Sequence, residues 1–245
     1  MVDKTWALVT GASGGIGREI CRALAADGIS IFMHYNENQV SVRDLQHLLT
    51  KDYPDQSFPI IQADLSKKAG VDALVKGIDQ PITCLVHNAG MSHIGLVQDV
   101  PRAVLHDFLH AQLAAPFILT QKLLPDMVRA RKGKIIFVTS IWGETGASTE
   151  ALYSMIKGGQ NSLVKALAKE LAPSGISVNG VAPGAIDTAM MADFDMDTIR
   201  SMKEDIPAGR LGSPREVAGL VRFLTSPHAD YINGQIISIN GAWYC

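Results

Sequence analysis

The chain has 245 residues, 47% of them hydrophobic and 19% charged, with a formal net charge of −2. A chain of this length can bury a large core. Its mean hydropathy of +0.13 and isoelectric point near 6.4 leave no basic field to hold nucleic acid or an anionic membrane surface. No run approaches the roughly 18 apolar residues of a bilayer span. Met1-Val2-Asp3-Lys4 passes straight into Thr5-Trp6-Ala7-Leu8-Val9 without a charged-then-apolar leader, which predicts a cytoplasmic protein. Cys21, Cys84 and Cys245 are odd in number and far apart, which argues against a zinc site or a disulfide framework.

Along the chain, short β-branched apolar runs alternate with longer segments of helical spacing, the pattern of parallel βαβ units. Strands are predicted at Trp6–Thr10, Ser30–His34, Pro59–Gln62, Thr83–His87, Lys134–Thr139, Ser177–Val181 and Gln235–Ile239. Each is apolar on both faces, as a sheet covered on both sides requires. Helices are predicted at Arg18–Asp27, Val40–Asp52, Leu113–Arg131, Ala151–Leu171 and Pro214–Thr225. The fold class that follows is α/β: one doubly wound Rossmann domain over the whole chain, with a mainly parallel sheet of seven strands. Between Ala185 and Gly212 the rhythm breaks into a Met-rich, charged stretch, and a connection of that length usually forms a lid or binding loop.

Two motifs carry chemistry. Thr10-Gly11-Ala12-Ser13-Gly14-Gly15-Ile16-Gly17 lies between the first strand and the first helix. Glycine there permits a tight turn and close approach of a pyrophosphate to the helix N-terminus. Far along the chain, Ser140 ends a strand, and Tyr153 and Lys157 stand four apart on a helix, which places both on one face. A cation beside a phenol favours the phenolate, so Tyr153 becomes a candidate acid or base and Ser140 a hydrogen-bond donor to a substrate oxygen. Tyr and Lys at this spacing also occur on ordinary helix surfaces.

Thr10 to Gly17, His87-Asn88-Ala89-Gly90, Ser140 with Tyr153-x-x-x-Lys157, and Pro183-Gly184 with Thr188 occur in the order seen in the short-chain dehydrogenase/reductases. The resemblance covers the whole chain. Pro207-Ala208-Gly209-Arg210-Leu211-Gly212 and the ending Tyr231 through Gly241 make it most similar to 3-oxoacyl-[acyl-carrier-protein] reductases of fatty acid biosynthesis. The resemblance implies a nicotinamide cofactor held by Gly11, Ser13, Gly14, Gly15, Ile16 and Gly17, with Asp64 and Leu65 at the adenine. It implies that Asn88, Ala89 and Gly90 line the next strand end, and that Pro183, Gly184, Ile186 and Thr188 close over the nicotinamide. Tyr153 would donate the proton, Lys157 would bind the ribose and bias the tyrosine, and Ser140 would polarise the carbonyl. A homotetramer is also implied, with the apolar tail Ala242-Trp243-Tyr244-Cys245 buried at an interface.

Some residues depart from the family pattern. An asparagine before Ser140 usually completes a proton relay through water to the lysine, and Gln112 aligns there. If its extra methylene displaces the relay carbonyl, Gln112→Asn should raise turnover. His87 replaces an asparagine and is expected to be a hydrogen-bonded residue behind the site, while His93 lies near the pocket edge. Tyr35 and Asn36 occupy the turn where NAD enzymes place a carboxylate, which favours NADP(H) over NAD(H), although Gly14 stands where many relatives carry arginine and Glu37 is close by. Met91, Ile141, Trp142 and Met190 are expected to wall an apolar substrate pocket. Arg131 aligns with one carrier-docking arginine, and Ser174 replaces the other.

Ser140-Ile141-Trp142-Gly143-Glu144-Thr145-Gly146-Ala147-Ser148 and the Trp243-Tyr244-Cys245 tail are also similar to a reductase subgroup associated with 5-aminopentanol modification of elongation factor P. In that reading Glu144 or Glu150 attracts the substrate amine. Acyl carrier protein and elongation factor P therefore both stand as possible partners. A non-catalytic NADP-binding regulator is the alternative from another class, favoured by Gln112 and opposed by intact Ser140, Tyr153 and Lys157.

Overall fold

The computed structural model describes residues 5–189, 191 and 194–245; Met190 lies outside them. Its seven strands are β1 (Trp6–Val9), β2 (Ser30–Tyr35), β3 (Ile60–Gln62), β4 (Cys84–His87), β5 (Gly133–Val138), β6 (Ile176–Pro183) and β7 (Ile236–Ile239). They pair in the order β3-β2-β1-β4-β5-β6-β7, and every pairing is parallel. Each predicted strand is present.

Alternation along the strands divides the core in two. Val9, Met33, Val86, Ile136 and Val181 face one side, where helices α1 (Gly15–Ala25), α2 (Gln39–Asp52) and α9 (Pro214–Thr225) cover them. Their neighbours Leu8, Phe32, Leu85, Ile135 and Val178 face the other side, under α3 (Gly70–Lys76), α5 (Ala115–Ala130) and α7 (Ala151–Leu171). Burial on both faces is why these runs carry so few polar residues.

The predicted helix starting at Leu113 is part of a longer rod. α4 (Arg102–Leu109) runs through a π-helical turn, His110–Ala114, into α5. In a regular α-helix the Gln112 carbonyl would accept from the N–H of residue 116, which is Pro116 and has none. The helix widens at that point. α3 and α4 were not predicted. α3 has only seven residues, and α4 packs through Phe108 against Leu152 and Ile156 of α7 in a small separate cluster, so its helicity depends on a distant partner. Two further helices, α6 (Trp142–Thr145) and α8 (Met196–Asp205), follow β5 and β6.

The strand order reverses between β1 and β4, and ligands in such sheets bind beyond the carboxyl ends of the strands at that point. The glycine turn after β1, the Asn88–Met91 segment after β4 and Ser140 after β5 all lie there.

Candidate active site

The glycine turn is held in place by its neighbours. Gly11 has φ +68°, and a Cβ there would come within 2.9 Å of the Ala89 Cα. A Cβ on Gly17 would overlap the Gly11 carbonyl. Asn88 Nδ2 donates to the carbonyls of Thr10 and Gly11 at 3.0 and 3.1 Å, and the Thr10 hydroxyl accepts from the Asn88 and Ala89 N–H groups, both at 3.0 Å. On the other flank His34 Nδ1 accepts from the Gly11 N–H at 3.1 Å, and His34 Nε2 lies 3.0 Å from the Ala63 carbonyl. These partners fix the neutral tautomer with its proton on Nε2. Burial lowers the His34 pKa from 6.5 to about 4.

A groove of about 480 Å³ runs past this turn. Gly11, Ser13, Gly14, Gly15, Ile16 and Gly17 line it, as do Asn36, Asp64, Leu65, Asn88, Ala89 and Gly90. The N-terminus of α1 has no side-chain cap, so its N–H groups can meet an anion. That uncapped terminus, with glycine at positions 11 and 17 where a Cβ would clash, fits a dinucleotide pyrophosphate. One expectation is corrected: the Tyr35 side chain packs into the core with Val42 and Leu45, because its place in β2 turns it inward. The groove wall there is formed by His34, Asn36, Glu37 and Asn38.

A second cavity of about 190 Å³ adjoins the groove, and the two share Ile16, Asn88, Gly90, Met91 and Thr188. Ser140, Tyr153 and Lys157 line it, as do Pro183, Gly184 and Ile186. β5 delivers Ser140, and the face of α7 that turns toward the sheet delivers Tyr153 and Lys157. Lys157 Nζ lies 5.4 Å from the centre of the Tyr153 ring. The expected lowering of the tyrosine pKa is corrected: burial pushes the phenol up to about 12, a hydrogen bond with Ser140 draws it back, and Glu150 raises it further. Burial also brings the Lys157 ammonium down to about 8.

Gln112 is fully buried, and among the described residues its side-chain oxygen has no hydrogen-bond partner; Oε1 and Lys157 Nζ both flank Gly90, 3.0 and 3.7 Å from where a Cβ on that glycine would lie. Gln112 Nε2 donates to the Met91 carbonyl at 3.0 Å. Its main-chain carbonyl accepts from Gln160 Nε2 at 2.7 Å, and Gln160 Oε1 accepts from Lys157 Nζ at 3.2 Å. Gln160 was missed because nothing in its local spacing marks it.

The cavity walls include Met91, Ile141 and Trp142, as predicted. Glu150, Met191, Phe194, Met202 and Trp243 join them. Trp243 packs edge-on against Trp142 at 5.1 Å, so this tail residue walls the pocket of its own chain, while Tyr244 is half exposed. Glu150 is held above the usual carboxylate range by burial, with a hydrogen bond from Trp142 opposing the shift. Glu144 instead accepts from Ser238 at 2.6 Å. His87 is buried against Phe137 and bonded to Thr120 at 2.9 Å, behind the site as expected, and His93 packs edge-on against Phe108. Arg131 precedes β5 and bonds the Pro173 carbonyl. It therefore lies at the end of β5 away from Ser140, and Ser174 follows Pro173 in sequence. Cys21 and Cys84 are buried and Cys245 is exposed, all as free thiols. Among the described residues no helix is long and apolar enough to cross a membrane.

Comparison with known proteins agrees with this arrangement. Residues 11–242 match the family described as Enoyl-(Acyl carrier protein) reductase. An uncharacterized oxidoreductase of Bacillus subtilis, YmfI, is 51% identical over 100% of both chains. The 3-oxoacyl-[acyl-carrier-protein] reductase FabG of Aquifex aeolicus is 36% identical over 97% of this chain and 96% of its own. Among solved structures, a metagenomic blue fluorescent protein in complex with NADPH superposes with a TM-score of 0.91 at 31% identity, covering 98% of each chain. The chain belongs to the short-chain dehydrogenase/reductase family of oxidoreductases.

Proposed function

We propose that the protein is an NADPH-dependent carbonyl reductase that converts a 3-oxoacyl thioester to the 3-hydroxyacyl thioester. The observation that carries this reading is the cluster of Ser140, Tyr153 and Lys157, with Ser140 and Lys157 buried and Tyr153 partly so, lining an apolar cavity that adjoins the dinucleotide groove. The bound cofactor supplies the hydride. Ser140 holds the substrate oxygen by a hydrogen bond. Tyr153, kept as a phenol by burial, gives its proton to that oxygen as negative charge develops there. Lys157 would hold the ribose hydroxyls of the bound cofactor, and it lies 5.4 Å from the centre of the Tyr153 ring. The apolar walls exclude water from the hydride path.

Preference for NADP(H) is part of the proposal. Asn36, not a carboxylate, directly follows β2, and the N-terminus of α2 lies beside it; these favour a 2′-phosphate, while Glu37 in the same groove wall acts against one. The bound nucleotides of related structures are in keeping with this, NADPH in the blue fluorescent protein and NADP in the angucycline C-6 ketoreductase LanV at 27% identity. The exposed apolar side chains of Phe117 and Val128 on α5 and Met155 on α7 support a homotetramer packed through these helices. Free thiols at all three cysteines are in keeping with a cytoplasmic location.

The test is oxidation of NADPH, and separately NADH, in the presence of acetoacetyl thioesters. Tyr153→Phe should lower turnover by about 10³-fold while NADPH still binds. Equal turnover of the variant and the wild type would remove Tyr153 as the proton donor, and tight NADPH binding by the wild type with no thioester reduced would overturn the reading in favour of a cofactor-binding regulator.

A second reading has a specific observation behind it: Glu150 stands in the same cavity as the Trp142–Trp243 pair. A carboxylate with an aromatic face suits an ammonium group. The alternative substrate is thus an amino-alkyl ketone, of the kind attached to elongation factor P in 5-aminopentanol modification. Faster turnover of an amino ketone than of its neutral analogue, lost in Glu150→Gln, would select this reading.

A further inference from the structure

Lys157 is 3% exposed and Gln160, one turn later on the same helix, is also 3% exposed. The ammonium donates to the Val138 carbonyl at 3.0 Å and to Gln160 Oε1 at 3.2 Å. The other end of the Gln160 amide donates to the Gln112 carbonyl at 2.7 Å. That carbonyl lies in the π-helical turn, where Pro116 withholds the usual helical donor. Three elements are thus joined through the Lys157 ammonium and the Gln160 amide: β5 through Val138, α7 through Lys157 and Gln160, and the α4–α5 rod through Gln112.

We propose that Gln160 is a positioning residue for the reaction. Its amide clamps the Lys157 ammonium between β5 and the opened carbonyl of the rod, keeping the lysine charged and aimed. This inference rests on the role given to Lys157 above. An ammonium has three N–H donors; Val138 and Gln160 take two and leave one for the cofactor ribose. No flexible chain of solvent is needed to satisfy either buried group, since a single amide offers an acceptor to the lysine and a donor to the carbonyl. A side chain lacking either end leaves a buried polar group without its partner.

The surroundings make the lysine sensitive to this one contact. Tyr153 on its own helix is the titratable side chain that meets it, with Glu150 acting on Tyr153 from the start of α7. From β5 it meets the Val138 carbonyl, from the rod the Gln112 main chain through Gln160, and from α6 the backbone of Gly143. His87 of β4 is turned to Thr120, and Glu144 of α6 to Ser238. Burial alone accounts for the lowering of the lysine to about 8. Removing a neutral acceptor therefore disfavours the ammonium further, and supplying an anionic one favours it.

The experiment compares wild type, Gln160→Leu, Gln160→Glu and Tyr153→Phe by the pH profile of kcat/KM and by the pH dependence of NADPH affinity, followed through cofactor fluorescence. In Gln160→Leu the alkaline limb of both curves should move down by about one pH unit, with about tenfold weaker NADPH binding above it. In Gln160→Glu the limb should move up. If Gln160→Leu does not fold, the upward shift in Gln160→Glu decides the matter. Limbs that coincide with the wild type in every folded Gln160 variant overturn the positioning role. The two ideas fail separately: a wild type that binds NADPH but reduces no substrate, or an active Tyr153→Phe, removes the proposed mechanism, whereas an inactive Tyr153→Phe with unmoved Gln160 profiles removes only the inference.

Discussion

The dinucleotide groove and the substrate cavity meet along Ile16, Asn88, Gly90, Met91 and Thr188, yet they are built in different ways. The groove is made largely of backbone and small side chains, fixed by short bonds among Thr10, Gly11, His34 and Asn88. The cavity is made of large side chains from the Met91 segment, α6, the stretch that includes Met191 and Met202, and the tail at Trp243. A surface of backbone admits almost no substitution, because atoms are already in contact where a Cβ would go. A wall of Met, Trp and Phe can change shape by exchanging side chains. One half is therefore suited to a common cofactor, and the other to a substrate particular to this protein.

This contrast is broken most severely at Gly17. Gly17→Ala drives a methyl group into the Gly11 carbonyl, so NADPH affinity should fall at least about 100-fold and stability by about 2 kcal/mol. Fluorescence titration and thermal melting measure the two effects, and near-normal binding would show that the turn is less constrained than its contacts imply. Acid should loosen the same region. The folded-state pKa of His34 lies at about 4 against 6.5 for the free side chain, so the unfolded chain takes up the proton first. Stability is complete above pH 6.5 and falls by about 3 kcal/mol as the pH drops toward 4. Denaturant midpoints across that range should show the loss, and His34→Asn should flatten part of it.

The cavity should respond more mildly. Trp243→Ala removes one wall and its edge-on partner of Trp142, and is expected to raise KM about tenfold with NADPH affinity unchanged. A fall in NADPH affinity instead would mean that the two regions are not independent. The smallest effect is expected from Gln112→Asn. The backbone carbonyl remains, while the bond to Met91 is weakened, so turnover should change by less than about twofold. A clear rise in turnover would support the role first expected for the side-chain carbonyl.

Most of the fold was legible in the sequence because a parallel sheet covered on both faces needs continuous apolar runs. Trp6–Val9, Cys84–His87 and Gly133–Val138 could hardly be read otherwise. The groove was legible for a related reason: its glycines lie consecutively in one turn. Tyr35 was misread because its neighbour Asn36 faces the groove while β2 turns the tyrosine to the core. α4 was missed because its stability comes from α7, about 50 residues further on in sequence.

The sequence by itself determined the layered α/β architecture, the glycine turn and the pairing of Tyr153 with Lys157, since each depends on residues close together in the chain or on a simple period. Only the tertiary structure decided what surrounds that pair. It raised the phenol and lowered the ammonium by burial, placed Glu150 and Trp243 in one cavity, and set the Gln160 amide between Lys157 and the carbonyl that Pro116 leaves without a helical donor. Desolvation and long-range hydrogen bonds depend on which distant segments fold against one another, and no local pattern of residues encodes that.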